Sequence, residues 1–412
     1  MTTVKGARCG LLGERLAHSY SPVIHRKLGN TDYRLFEADA ARAAEIISGA
    51  DYDWLNVTIP YKLLAKSLCD ELSETARRTG SVNTVIPRDG KLLGFNTDYD
   101  GFKRMLLSKD VCVTAGKSVI LGNGGAARTV RAVLEDMGAP EVVTVTRGGS
   151  DNFGNLAVHA DARIIVNATP LGMYPDILGS PCDLTVFEKP LLVLDLVYNP
   201  LRTMLLQQAE RLGISSSNGL LMLVNQAMHS SALYSGAVYS PDTDIRISKQ
   251  VASEKRNTVI IGMPGGGKTM LAKALSSASG REMLDTDRLV ELSEGKSIAE
   301  IFNSDGEKSF RKAEEAAVMY ALSGGGRIIA VGGGAVLSEK NRAVIRANSF
   351  VIYLDTPNDL LDRSARPLSS SDEAVEVMYR ERLPLYKETS DITVRRTENI
   401  QNNIDFILEA MQ

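Results

Sequence analysis

The chain has 412 residues, 47 of them basic and 50 acidic, for a net charge of −3. That length predicts two or three domains, each with its own core. Charges so nearly balanced speak against a dedicated nucleic-acid or membrane surface. Four scattered cysteines, Cys9, Cys69, Cys112 and Cys182, lack C-x-x-C spacing, which suits reduced thiols and disfavours a disulfide framework or structural zinc. His18, His25, His159 and His229 show no ligand spacing and read as structural or surface residues. No apolar run approaches the ~20 residues needed to span a bilayer. The opening Met1-Thr-Thr-Val-Lys5 lacks a signal-peptide core, so a soluble cytoplasmic protein is expected.

Residues 1–98 alternate short strands with helices, the α/β pattern. Cys9-Gly-Leu-Leu-Gly13 reads as a strand entering a loop that runs into a helix near 23–28. If that loop is extended, Ser19 and Ser21 project to one side and make a clamp for a small carboxylate. A Ser-x-Ser-Pro helix cap is the alternative. Residues 54–59 read as a buried strand ending at Pro60-Tyr61-Lys62, where the lysine is either a candidate acid or base or a solvated side chain. Two further segments bring Asn83, Asn96 and Asp98 to strand ends. Polar residues gathered at the ends of apolar strands are what a substrate crevice in an α/β sheet requires.

The set His18-Ser19-x-Ser21-Pro22, Asn56-Val-Thr58-Ile-Pro-Tyr-Lys62, Val82-Asn83-Thr84 and Asn96-Thr97-Asp98 resembles the N-terminal half of shikimate dehydrogenases. The resemblance implies Ser19 and Ser21 on the shikimate carboxylate, Thr58, Asn83 and Asp98 on its ring hydroxyls, and Lys62 with Asp98 as the catalytic pair. The chemistry is coherent in its own right. Hydride reduction of a ketone needs a proton donor at the developing alkoxide, and a lysine beside a carboxylate supplies both charge and proton.

From about residue 100 the pattern becomes that of a nucleotide-binding unit. A strand over 117–121 is followed by Gly122-Asn-Gly124-Gly125-Ala126-Ala127 and then a helix. Gly122, Gly124 and Ala127 satisfy G-x-G-x-x-G/A in its strand-to-helix setting, with Gly125 and Ala126 in the same cofactor turn. The next strand ends in Thr146-Arg147, where an acid would bond the 2′-hydroxyl of NAD; Arg147 instead favours a 2′-phosphate, hence NADP. The resembled family usually carries a second basic residue after this turn, and Gly148-Gly-Ser-Asp151 stands in its place, so the preference rests on one arginine. Asn167-Ala-Thr169 resembles the family's cofactor-lining segment. Tyr198 ends the strand over 193–198, on the substrate or capping the core with its hydroxyl in water. Asn218-Gly219 opens a helix near 221–236 that resembles the family's return to the substrate domain, with Gly219 at the cofactor and Gln226 on shikimate. Residues 239–256 carry little hydrophobic periodicity and read as a linker.

The stretch Gly262-Met-Pro-Gly265-Gly266-Gly267-Lys268-Thr269 fits the phosphate-cradling G-x-x-x-x-G-K-[ST], with a β-branched strand before it and a helix after it. Lys268 would reach the β and γ phosphates of ATP or GTP, and the Thr269 hydroxyl would ligate Mg²⁺. Asp285 and Asp287 are expected on one side of a strand end, one organising the metal and the other accepting a proton from an attacking hydroxyl; helix capping is the alternative. These pieces resemble shikimate kinase over 257–412. The resemblance implies Asp287 on the 3-hydroxyl, Asp285 supporting Mg²⁺, Arg311 and Arg382 on the carboxylate, the Gly332-Gly333-Gly334 backbone against the ring, and Arg366 in a lid that stabilises the transferring phosphoryl. That lid is short.

The expected architecture is α/β throughout: a substrate domain from 1–98 plus 221–238, a Rossmann-like NADP domain over 99–220, a linker over 239–256 and a P-loop kinase domain with a parallel sheet over 257–412. The expected activity is bifunctional, reducing 3-dehydroshikimate with NADPH and then phosphorylating shikimate with ATP and Mg²⁺, with small-molecule substrates and neither nucleic acid nor membrane as partners. An NAD-preferring quinate/shikimate dehydrogenase and a non-catalytic sensor are the alternatives. Retention of Lys62, Asp98, Lys268, Asp285 and Asp287 weighs against the sensor.

Overall fold

Among the residues that the computed structural model describes, 8–362, 372–397 and 400–411, short runs rich in Val, Ile and Leu form three sheets. The chain divides into two units, Met1–Val251 and Ala252–Gln412. The first unit holds two of the sheets. Strands β1 (Cys9–Gly13), β2 (Arg34–Glu37), β3 (Trp54–Val57), β4 (Glu71–Leu72), β5 (Thr84–Arg88) and β6 (Lys91–Phe95) lie in the order β2-β1-β3-β5-β6-β4. This sheet is mixed, because β5 runs antiparallel to both β3 and β6.

The second sheet, β7 (Ser118–Leu121), β8 (Val142–Val145), β9 (Ile164–Asn167), β10 (Leu192–Asp195) and β11 (Ser215–Ser217), is parallel, in the order β11-β10-β9-β7-β8. Its three central strands, β7, β9 and β10, are buried at every position, so alternation gives two buried faces rather than one. Val119, Leu121, Ile165 and Val193 pack with Leu205 on one side. Ile120, Ile164, Val166 and Leu194 pack with Val130, Val133 and Phe102 on the other. The glycine turn follows β7, where the strand order reverses, and so opens at the carboxyl edge of the sheet.

Helices Asp98–Leu107 and Leu220–Ser235 cross at Gly101, where an added Cβ would lie 2.6 Å from the Met222 carbonyl oxygen. The segment read as a linker, 239–256, contains a helix over Thr243–Lys255. Ile247 and Val251, one turn apart, are fully buried on it, a stripe too narrow to stand out among the surrounding charges. Its Asp244 is 1 % exposed and accepts from Arg104 Nε at 2.6 Å and Asn225 Nδ2 at 3.2 Å. Without such donors a buried carboxylate would be costly.

The second unit has one parallel sheet of β12 (Asn257–Ile261), β13 (Met283–Asp285), β14 (Ile328–Ala330), β15 (Ser349–Asp355) and β16 (Ile392–Arg395), in the order β13-β14-β12-β15-β16. Ile260, Ala330, Ile352 and Val394 pack with Leu271, Leu275 and Ile407. No helix among the described residues is long and apolar enough to cross a membrane.

Alanine normally stabilises a helix over glycine by roughly 0.5–1 kcal/mol. Gly101→Ala is expected to reverse that sign, because overpacking at the crossing costs about 1–3 kcal/mol. Urea unfolding followed by circular dichroism measures it, and a variant more stable than wild type would show that the crossing has slack.

Candidate active sites

The first site is built from strand ends and helix starts. After β3 the chain passes through Thr58 and a cis Ile59–Pro60 bond into the helix Lys62–Leu68, so Lys62 is that helix's first residue. Asp98 is likewise the first residue of Asp98–Leu107, where the helix dipole favours a carboxylate. The two meet with Lys62 Nζ 2.6 Å from Asp98 Oδ2, their side chains 15 % and 10 % exposed. Asn83 sets the position of the turn before Asp98, its Oδ1 accepting from Thr97 N at 2.8 Å and its Nδ2 donating to Thr97 Oγ1 at 3.0 Å. Gln226 is buried against the same turn, accepting weakly from Thr97 Oγ1 at 3.5 Å.

Two expectations about this site change. Ser19 and Ser21 do not share an extended segment, because Ser21 is already the first residue of the helix Ser21–Lys27. Ser19 Oγ accepts from Ser21 N at 3.2 Å, a local turn that holds both hydroxyls at the helix mouth. Asn96 is structural rather than crevice-lining, its Nδ2 reaching Thr79, Ser81 and Thr129 in the interior. Tyr198, expected either on the substrate or capping the core, bonds through its hydroxyl to the Ser19 side chain, and its ring lies 5.1 Å from that of Tyr20. Burial pushes that phenol up, and the Ser19 and Tyr20 bonds hold it back.

The cofactor turn lies against this site. Gly122 adopts φ +107, and a Cβ there would lie 3.0 Å from Thr169 Cγ2 and 3.2 Å from Ala168 O. Gly124 begins the helix Gly125–Asp136 with no side-chain cap, leaving the N–H groups around Gly125, Ala126 and Ala127 to an anion. A Cβ on Gly125 would be 3.7 Å from Lys62 Cδ, so the dinucleotide turn and the lysine border one space. Gly219 packs its Cα on the Leu196 carbonyl, too close for any side chain. Thr146 turns its hydroxyl onto Gly148 O and leaves Arg147 exposed.

Asp195 was not anticipated as a site residue, although a charge inside the apolar run of β10 was a usable signal. Fully buried, it accepts from Asn167 Nδ2 at 2.9 Å, Val197 N at 3.0 Å and Thr203 Oγ1 at 2.6 Å. Asn167 in turn accepts from Thr169 N and Oγ1 at 3.0 and 2.7 Å. One carboxylate therefore fixes both the cofactor segment and the approach to Tyr198.

The second site surrounds the loop after β12. Gly262, Gly265 and Gly267 have φ of +148, +76 and +88, conformations that favour glycine. Lys268 starts the helix Lys268–Ser279 and donates to Gly262 O at 3.0 Å and Met263 O at 2.9 Å. With Gly265, Gly266, Thr269, Asp285 and Asp287 it lines a cleft of about 290 Å³. Asp285 ends β13, but Asp287 lies in the first turn of the helix Thr286–Glu294, so the expected alternation along one strand does not hold. The helix start brings both to the cleft instead. Asp285 caps it, accepting from Asp287 N at 3.0 Å, and also accepts from Thr269 Oγ1 at 2.6 Å, so capping and the Thr269 contact coexist.

A Cβ on Gly332 would lie 2.5 Å from Asp287 Oδ1 and 2.9 Å from Glu314 Oε1, and one on Gly334 would collide with Arg311 Nη1. Only bare backbone fits there. Arg311 bonds Glu314 Oε2 at 2.8 Å and Glu307 Oε1 at 3.0 Å. Burial pulls Arg311 down, but the two glutamates more than offset it; burial pushes the Glu314 carboxyl up, with Arg311 opposing. Glu314 was also missed, though its i+3 spacing from Arg311 was visible. Gly333 O accepts from Tyr386 Oη at 2.6 Å, and Tyr386 in turn bonds the Arg382 side chain. Arg382 is 6 % exposed, and its Nε has no acceptor among the described residues. Arg366 lies outside the described residues.

Comparisons with known proteins divide the chain in the same place. The family described as Shikimate dehydrogenase substrate binding domain matches residues 11–85, and Shikimate kinase matches 264–412. The chain is 34 % identical over 263 residues to a shikimate dehydrogenase (NADP(+)) of Clostridium perfringens, covering 59 % of this chain and 97 % of that protein. The crystal structure of shikimate dehydrogenase 1 from Peptoclostridium difficile is similar with a TM-score of 0.55 at 32 % identity, covering 59 % of this chain and 97 % of that one. A Thermus thermophilus shikimate 5-dehydrogenase in complex with NADP(H) and shikimate gives 0.54 at 30 %, covering 60 % and 99 %.

Burial pushes the Asp195 carboxyl from 3.8 to about 6, against the pull of Thr203, Val197 and Asn167. With the folded value above the unfolded one, the stability it contributes is full below about pH 4 and lost as pH rises through about 6. Asp195→Asn has no such proton to lose. Its stability relative to wild type is therefore expected to rise between about pH 4 and pH 7, by up to about 3 kcal/mol in urea unfolding. A difference flat across that window would contradict the buried carboxylate.

Proposed function

The chain belongs to the shikimate dehydrogenase family and carries a shikimate kinase domain behind it, and from that premise we propose which residues do the work in each half. It is a bifunctional shikimate-pathway enzyme. The first half reduces 3-dehydroshikimate to shikimate, and the second phosphorylates the shikimate 3-hydroxyl. The single observation that carries the first assignment is the 2.6 Å Lys62–Asp98 pair beside the dinucleotide turn.

NADPH, when bound along Gly122–Ala127 with its 2′-phosphate toward Thr146 and Arg147, supplies the hydride. Lys62 holds the ketone oxygen and gives it a proton as the carbon is reduced, recovering that proton from water. Asp98 fixes the ammonium and accepts from a ring hydroxyl, with Thr58, Asn83 and Gln226 on the other ring positions. Ser19, Ser21 and Tyr198 take the carboxylate, and the hydroxyl-to-hydroxyl contact of Tyr198 with Ser19 supports treating them as one clamp. Asn167, Thr169 and Gly219 complete the cofactor wall.

In the second half Lys268 and the loop N–H groups hold the triphosphate. Thr269 Oγ1 and Asp285, two hard oxygen donors already in contact, fit Mg²⁺, which would neutralise phosphate charge. Asp287 takes the proton of the 3-hydroxyl. Arg311 and Arg382 bind the carboxylate, and the orphaned buried Nε of Arg382 supports that role. The Gly332–Gly334 backbone lies under the ring, and Arg366 is assigned to the transferring phosphoryl by the family resemblance alone. Four free cysteines are the ground for placing the enzyme in the cytoplasm.

The test is a coupled assay on the full chain. 3-Dehydroshikimate with NADPH alone should oxidise cofactor, and ATP with Mg²⁺ should then yield shikimate 3-phosphate, a step that chelation abolishes. Lys62→Ala should lower the kcat of reduction by about 10²–10⁴ and leave phosphorylation intact; Asp287→Asn should do the reverse. Wild-type material that binds shikimate and nucleotides but turns over neither would make the chain a sensor. Rates with NADP(H) and NAD(H), and with quinate, separate the biosynthetic from the quinate-type reading.

A further inference from the structure

Arg396, which no sequence pattern singled out, lines the nucleotide cleft together with Lys268. It follows β16 at the edge of the sheet, and its backbone N–H extends the ladder by donating to Asp355 O at 2.8 Å. Its guanidinium is turned back onto the glycine loop. A Cβ on Gly267 would lie 3.2 Å from Arg396 Cζ and Nη1 and 3.4 Å from Nε, so the planar group rests against the Gly267 Cα. Nη1 donates to Leu360 O at 2.8 Å, which fixes the fork in that place.

Gly267 is where the helix Lys268–Ser279 begins, with no side-chain cap on its first N–H groups. An anion drawn to those donors arrives beside the guanidinium. The charge of the cleft points the same way. Among the described residues, its lining carries three carboxylates, Asp285, Asp287 and Asp362, against two cations, Lys268 and Arg396. Among the described lining residues, removing Arg396 leaves Lys268 as the one cation facing three carboxylates. Arginine also suits the place better than lysine, since its planar fork can pack on a glycine and still present N–H groups to phosphate oxygens.

We propose that Arg396 is a second phosphate-binding cation of the kinase nucleotide site, gripping the phosphate chain of a nucleoside triphosphate from its place on Gly267. This rests on the kinase reading of the second unit, and it adds a residue from the sheet edge to that reading's loop and helix. Gly267 accordingly has two reasons to lack a side chain: its positive φ and the arginine lying on it.

The experiment titrates ATP, ADP and AMP calorimetrically into the full chain, as wild type, Arg396→Ala and Arg396→Lys. Arg396→Ala is expected to weaken ATP about tenfold or more, ADP less and AMP little, with Arg396→Lys recovering part of the loss. The KM for ATP should rise while the KM for shikimate stays put, and the dehydrogenase rate on the same samples controls for active concentration. ATP affinity within twofold of wild type in Arg396→Ala would overturn the proposal. So would equal losses for ATP and AMP with no recovery by lysine, which would mark the arginine as packing rather than phosphate-binding. If wild type bound ATP but transferred no phosphate to shikimate, the kinase assignment would fall, and the titrations would still decide the role of Arg396.

Discussion

Each half of this enzyme depends on places where only bare backbone fits. Gly122 lies against Ala168 and Thr169, Gly262 against the Leu354 carbonyl, and Gly332 against Asp287 and Glu314. In all three a parallel strand has just ended and the chain must turn close to a neighbouring element. That closeness brings N–H groups to one spot, so an anionic ligand meets several donors where no side chain stands in the way.

The charged groups follow a related rule. Lys62, Asp98, Lys268 and Asp287 each lie in the first turn of a helix that follows a strand or a tight turn. A rigid start fixes the direction of the side chain, and partial burial strengthens what it does. The cost of burying charge is offset by partners: Asp98 for Lys62, loop carbonyls for Lys268 and Glu314 for Arg311. Asp195 does the same in the dinucleotide half, where one buried carboxylate receives three donors and ties the Asn167 turn to the segments after β10.

Much of the site was legible in the sequence because the information was local. Glycine spacing before a helix, a lysine after a strand and a proline at a turn each act over a few residues. The reading failed where it carried strand alternation into a helix start. Ser21 and Asp287 were read either on extended chain or at a helix cap, and both belong to the first turns of helices. The helix within the linker segment went unread for a related reason, since two buried aliphatic residues and one buried aspartate suffice to seat a helix that otherwise looks solvated.

The sequence by itself determined the α/β class and the two glycine turns after strands, because each depends on backbone freedom or apolar patterning within a short window. Only the tertiary structure decided which distant groups meet. Tyr198 reaches Ser19, Asn83 holds Thr97, Tyr386 holds Gly333, and Arg396 lies on Gly267. Those pairings follow from the order of strands within a sheet and from the packing of its edges. They are set by the mutual burial of many apolar residues, which no short stretch of chain encodes alone.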